Sequence, residues 1–261
     1  MHSTDSAWNF GGSPEYETTL RPLCLQVESY FSLPSRRLWR YFATWDDPHM
    51  RELMELGEHY RGFHIPISGR GVLPHYLREG FYHPLKLGMS YEDSIAFDNL
   101  IYIRKSTCSD IPVGFVTAYA HELQHFVQYG RTPRLWEVNR NLYFSLGGLD
   151  RNVIPSEIPT ERDADITAKQ VAEQVCGVEA TNQFAERQIQ SMENCGDAVQ
   201  KARWVFFRNV PSTTRYDLLQ ETLPFIDKYK GRIDFGIDTT QPEWWMGDLP
   251  KPRKQASKGT A

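Results

Sequence analysis

Near the middle of the chain stand His121, Glu122, Leu123, Gln124 and His125. On a helix, residues four apart lie one turn apart on the same face, so the two imidazoles can reach one metal ion. Glu122 is rotated by about 100° from His121 and can reach water on that ion as a general base. Zn²⁺ suits this donor pair: it would lower the pKa of such a water toward ~7 and polarise a carbonyl under attack. The neighbours Tyr119, Ala120, Leu123, Phe126 and Val127 are apolar, so the helix is expected to be buried, where imidazoles need polar partners.

A hydrolytic zinc site wants a third protein ligand and an open fourth position. Downstream, Glu161-Arg162-Asp163-Ala164-Asp165 opens another predicted helix, with Glu161 and Asp165 again one turn apart. Ala164, Ala168 and Ala172 recur beside them and permit close helix approach. A carboxylate in a first turn also suits the positive end of the helix dipole, whatever else it does. Glu161 follows His125 by 36 positions. That is enough for a turn at Gly130 to Pro133, a helix bearing Trp136 and Tyr143, and a loop through Gly147, Gly148 and Pro155. One Zn²⁺ per chain is therefore expected. Asp163 or Asp165 could serve as the third ligand instead, if the helix is rotated.

From about Asn99 to Gly177 the chain resembles the gluzincin zinc metallopeptidases, in which HExxH is followed by a helix with an ExxxD-type motif. The resemblance implies His121, His125 and Glu161 as zinc ligands, Glu122 as catalytic base, and Asp165 as a carboxylate that orients a ligand imidazole. It further implies that the strand before the metal helix offers a free edge to an extended peptide, which makes Asn99, Ile101 and Ile103 substrate-binding candidates. The interval between the two motifs is long, and no downstream His or Tyr is singled out as a transition-state stabiliser. Tyr129, Tyr143 and Tyr216 are candidate donors. A metzincin would need Gly and His at positions occupied by Gln128 and Arg131. A di-iron bundle would need a second ExxH pair beside Glu122 and His125, and no other histidine has Glu three positions earlier.

The elements that must position these residues read as follows. Asn99 to Lys105 alternates like a short strand, Ser106 to Pro112 is a turn, and Val113 to Tyr129 is a helix. Ser109 or Asp110 are its N-cap candidates, Pro112 lies in its first turn, and Gly130 ends it. Further helices are predicted over Arg134 to Leu146, Glu161 to Val175, Val178 to Glu193, Asp197 to Asn209 and Thr213 to Tyr229, with Leu38 to Tyr60 also helical. Phe63 to Phe81, with His64, His75 and His83, reads as a loop region. Residues 1–20 look like a disordered N-terminus and 249–261 like a disordered basic tail. Between them, 21–248 form one domain: α+β, mainly helical, zincin-like, with a small sheet and an active-site helix beneath it.

Composition narrows the function classes. With 261 residues and 40% hydrophobic content a buried core is feasible, and 13% aromatics argue against wholesale disorder. The apolar runs are far shorter than the ~20 residues of a membrane span, and the N-terminal stretch lacks the apolar region of a secretory signal. A net charge of −4 recruits neither nucleic acid nor anionic membrane. Cys24, Cys108, Cys176 and Cys195 form no CxxC pair and read as reduced thiols, so a cytoplasmic location is expected. Cys108 reads as packing, because no general base is spaced to activate it. Trp244, Trp245 and Met246 form an aromatic patch that docks on the core or meets a partner.

The function expected is a zinc metalloendopeptidase acting on a protein or peptide. Two other classes stay open: a regulatory or toxin-like protein that uses the scaffold to bind a protein partner with little or no proteolysis, and a hydrolase of non-peptide amides or esters.

Overall fold

The computed structural model describes residues 8–11, 13–43, 61–66, 99–149 and 154–249. In chain order these form β1 (Trp8–Asn9), α1 (Pro14–Glu28), β2 (Leu38–Phe42), β3 (Gly62–Pro66), β4 (Asn99–Ile103), α2 (Lys105–Ser109), α3 (Val113–Arg131), α4 (Pro133–Leu149), a 3₁₀ turn at Pro155–Glu157, α5 (Pro159–Cys176), α6 (Val178–Cys195), α7 (Ala198–Asn209) and α8 (Leu218–Tyr229). The class is α+β and mainly helical, as expected. Among the described residues no helix is long and apolar enough to cross a membrane.

One four-stranded sheet has the order β1-β2-β4-β3. β2 runs parallel to β1 and to β4, while β3 is antiparallel to β4, with Gly62 opposite Ile103 and Pro66 opposite Asn99. This placement corrects the expected free edge at Asn99 to Lys105. β4 is hydrogen-bonded on both sides, and all five of its residues are buried. Ile101 and Ile103 point into the main core, and the Asn99 side chain lies 3.1 Å from His64 Nε2 on β3, diagonally across the pair. Among the described residues the edge strand on that side is β3, from a stretch that reads as loop in the sequence.

Leu38–Phe42 is also a strand, not the start of a helix. Its run Leu-Trp-Arg-Tyr-Phe is buried at every position, so no alternation of polar and apolar residues betrays it. The rest of the predicted helix, 44–60, lies outside the described residues, as do His75, His83 and the tail beyond Leu249.

The N-terminus is ordered well before residue 21. Ser13 caps α1 by accepting from the Tyr16 N–H at 3.4 Å, Pro14 occupies the first turn, and Leu20 is fully buried. Phe10 stacks on Phe42 at 5.1 Å, so even the short β1 segment feeds the core.

The central element is α3. Sixteen of its nineteen residues are buried, so it is enclosed nearly all round, its polar positions Thr117, His121, Glu122, His125 and Gln128 included. It runs one residue past Gly130, and Pro112 takes the cap position without a side-chain cap. Gly130 serves close approach instead, because a Cβ there would stand 2.4 Å from Pro34 Cγ. One core joins α1, the sheet, α3 and α5, with Ala168 and Ala172 fully buried as the small-residue stripe requires. A second core joins α4 and α8 to Ile233, Phe235 and Trp244, so the first of the three aromatic-patch residues docks inward while Met246 is exposed. α4 continues through Gly147 and Gly148, where a loop is predicted, and α8 starts at Leu218 behind its cap Asp217, not at Thr213.

Candidate metal centre

α3 presents His121 and His125 on one face, one turn apart, and both side chains are about nine-tenths buried. Their Nε2 atoms stand 3.0 Å from each other. From α5 the carboxylate of Glu161 closes on both: Oε2 is 3.4 Å from His121 Nε2 and Oε1 is 3.3 Å from His125 Nε2. Each of the three residues offers a ligand atom within 4.8 Å of the others, so the group could hold a metal ion. The donor chemistry fits zinc, with two imidazole nitrogens and one carboxylate in a partly enclosed cleft.

What the other ring nitrogens do supports the fit. His121 Nδ1 is 3.0 Å from Asp165 Oδ1, and His125 Nδ1 is 2.9 Å from Gln128 Oε1. An acceptor at each Nδ1 fixes the proton there and leaves Nε2 as the lone-pair atom directed at the cluster. Gln128 is itself anchored, donating to Thr160 O at 3.0 Å and to Asp163 Oδ2 at 2.8 Å. Gln124 donates to the same Asp163 oxygen at 2.6 Å. Asp163 is thus taken by two amides and Asp165 by His121 and Arg203. Of the carboxylates on α5, Glu161 is the one that meets both Nε2 atoms.

Arg203 was not legible in the sequence as a site residue. It projects from α7 and forks onto Asp165, with Nη2 at 2.7 Å from Oδ1 and Nε at 2.9 Å from Oδ2. Its Nη2 also lies 3.5 Å from Glu161 Oε2. α7 is held in place from α5: the buried ammonium of Lys169 donates to the carbonyls of Arg208 and Val210, at 2.6 and 2.7 Å, at the C-terminal end of α7.

The electrostatics follow from this packing. Burial pushes the His121 imidazole down, but the hydrogen bonds to Asp165 and Glu161 outweigh it and lift the group to about 10. His125 is raised on balance as well: burial lowers it, and the Glu161 charge overcomes that. Burial alone would raise Glu161, yet the His125 charge and its histidine hydrogen bonds hold it well below the usual carboxylate range. Asp165 is lowered too, with the Arg203 charge overcoming its burial. Without a metal, the carboxylates thus favour the charged form of His121 and shift His125 in the same direction. A divalent cation can take over that charge while releasing the imidazole protons.

Glu122 behaves differently. It is buried, and burial raises its carboxyl above the usual range. Among the described residues no hydrogen-bond or ion-pair partner takes that carboxylate, although it lines the same cavity as His121, His125 and Glu161. The cavity holds about 330 Å³. Its walls are Phe63 and His64 of β3, Trp136, Tyr143 and Phe144 of α4, and Arg203, Trp204 and Phe207 of α7. Gly62 lets β3 lie close to β4 and against α3, since a Cβ there would stand 2.7 Å from Tyr102 O on β4 and 3.4 Å from Glu122 Cγ on α3.

The structure therefore brings together His121, Glu122, His125, Glu161 and Asp165. It does not bring Asn99, Ile101 or Ile103 to the cleft, because β4 lies one strand inward. Of the tyrosine candidates, Tyr143 lines the cavity and Tyr216 lines a separate polar groove with Asp163 and Gln170. Tyr129 is buried with its ring 5.2 Å from that of Trp136. Cys108 is buried with its thiol pushed up to about 12, chiefly by desolvation, which agrees with a packing role. The four cysteines are free thiols. Gln128 carried a usable signal, three positions after His125 on the same helix face. Arg203 carried none, because its partner is 38 positions away. Compared with protein-family models, curated proteins and solved structures, the chain matches none.

Proposed function

We propose that this chain is a zinc-dependent peptidase on a zincin-like scaffold. The observation that carries the reading is the convergence of His121, His125 and Glu161 beside an unpaired, buried Glu122 in one cleft. A zinc ion held by those three ligands supplies Lewis acidity, making water more acidic and a carbonyl more electrophilic.

The chain's own residues supply the rest. Glu122 accepts a proton from the attacking water and returns it to the leaving amine, and its raised pKa brings it nearer to a working general acid and base at neutral pH. Asp165 and Gln128 keep both imidazoles turned with Nε2 inward. The side of β3 turned away from β4, unpaired among the described residues, can receive an extended peptide by backbone hydrogen bonds, in the role first expected of β4. The aromatic walls from α4 and α7 then exclude water around the reacting bond.

The test is zinc per chain by elemental analysis and peptide turnover, on wild type, Glu161→Ala and Glu122→Gln. One zinc in wild type, sharply weaker binding in Glu161→Ala, and retained metal with turnover reduced about 10²- to 10⁴-fold in Glu122→Gln are expected. Absence of zinc from wild type after metal-replete purification would overturn the reading. So would undiminished metal-dependent turnover in Glu122→Gln.

A further inference from the structure

We propose that the cleft takes a substrate bearing a carboxylate close to the bond to be cut, and that Arg61 and Arg203 receive it; the proposal rests on the peptidase reading. Arg61 stands just before β3 and lines the same cavity as the metal-ligand cluster. Its guanidinium lies over the rings of Phe184 and Trp204, with centroid distances of 4.9 and 5.4 Å. Its Nη1 is buried and has no hydrogen-bond partner among the described residues. The nearest carboxylate is Asp110, 3.6 Å from Nη2 and 41% exposed at its side chain, a long and solvent-screened contact. A buried, charged donor without an acceptor costs free energy that a bound anion would recover.

Arg203 reaches the same cavity from α7. Its Nε and Nη2 are spent on Asp165, and Nη1 has no hydrogen bond among the described residues. The two guanidinium charges oppose each other: Arg61 is lowered on balance by burial, the Asp110 charge offsets part of this, and the charge of Arg203 adds a smaller lowering. The third arginine of the cavity, Arg140, differs, being satisfied by two hydrogen bonds to Glu137 at 2.9 and 3.1 Å. Two guanidinium groups on one cavity, each with an Nη1 that no described residue takes, match the planar geometry of a carboxylate. In a peptide that group is either the chain's C-terminal carboxylate or an Asp or Glu side chain.

The experiment uses zinc-loaded Glu122→Gln protein and N-acetylated pentapeptide libraries in three forms: free C-terminus, amidated C-terminus, and amidated with one Glu exchanged for Gln. Retention is read by affinity selection and mass spectrometry. Carboxylate-bearing peptides should be retained about tenfold better, the worth of one charge-assisted hydrogen bond. Adding Arg61→Gln should erase the preference and adding Arg61→Lys should keep part of it, with thermal melting confirming that both variants fold. Free acid over amide assigns the chain end, and Glu over Gln assigns a side chain.

Equal retention of all forms, retention of none, or a preference that survives Arg61→Gln would overturn the proposal. Turnover of the retained peptides by wild type is scored separately. Carboxylate preference without turnover overturns the peptidase reading and leaves the anion site standing; turnover without preference does the reverse.

Discussion

Replacing Asp165 with asparagine separates two roles that the geometry superimposes. Asp165 is 4% exposed, accepts from Arg203 through both oxygens, and faces His121 Nδ1 at 3.0 Å. Asparagine keeps the volume and one acceptor oxygen but removes the charge. Breaking a buried ion pair on one side costs about 3 to 5 kcal/mol. Arg203 keeps Glu161 at 3.5 Å and is 22% exposed at its side chain, so the metal-free protein should lose stability at the lower end, about 3 kcal/mol. The second effect is on the metal. A partner that orients a ligand imidazole contributes about 10- to 100-fold in affinity, or about 1.4 to 2.7 kcal/mol. Urea unfolding of the metal-free protein measures the first effect, and competition for zinc against a chromophoric chelator at fixed pH measures the second. Unchanged zinc affinity alongside lowered stability would show that Asp165 is only the ion-pair partner of Arg203, and the orienting role would fall.

Gly62→Ala should destabilise the fold by about 1 to 3 kcal/mol and lower turnover, because the new methyl meets the Tyr102 carbonyl and Ile103 Cδ1, both 2.7 Å away, and presses β3 off its neighbour β4. A melting temperature equal to wild type would contradict this close approach. Lys169→Met should cost about 3 to 5 kcal/mol by leaving the largely buried Glu173 carboxylate and the Arg208 and Val210 carbonyls without the ammonium, and should weaken zinc binding less than Asp165→Asn does. The reverse ranking in the chelator competition would mean that α7 matters more than the Asp165 contact. His64 should make the fold acid-sensitive: burial and the His125 charge hold its imidazole down at about 3, against the Asn99 hydrogen bond. The unfolded chain therefore binds the extra proton between about pH 6.5 and 3, so stability present above that range is lost as pH falls through it, by at most about 1.4 kcal/mol per pH unit. The stability difference between wild type and His64→Gln should shrink from pH 7 to pH 5, and a constant difference would refute the assignment.

The candidate site was legible to the extent that it is local. His121, Glu122 and His125 share a helix turn, and Glu161 and Asp165 share another, so their relative placement follows from 3.6 residues per turn without knowledge of what packs where. The long helices were legible for the same reason, with Gly177 behind α5 and Asp197 capping α7. Leu38–Phe42 and Gly62–Pro66 were not, because a strand buried at every position has no alternation to read and a short strand among Gly and Pro looks like loop. The N-terminal boundary failed similarly. Polar residues of α1 such as Glu15, Glu17 and Thr18 face outward, while the few that matter, Leu20 and Cys24, are fully buried.

By itself, then, the sequence determined which side chains stand on a common helix face and what chemistry that face can do. Only the tertiary structure decided that β3 and not β4 forms the sheet edge beside the cleft, that Gln128 and Asp165 take the two outward imidazole nitrogens, and that Arg61 and Arg203 look into the same cavity. The physical reason is range. Periodicity is written within an element, whereas strand order and ion pairs between elements depend on which surfaces exclude water together once the chain has closed on itself.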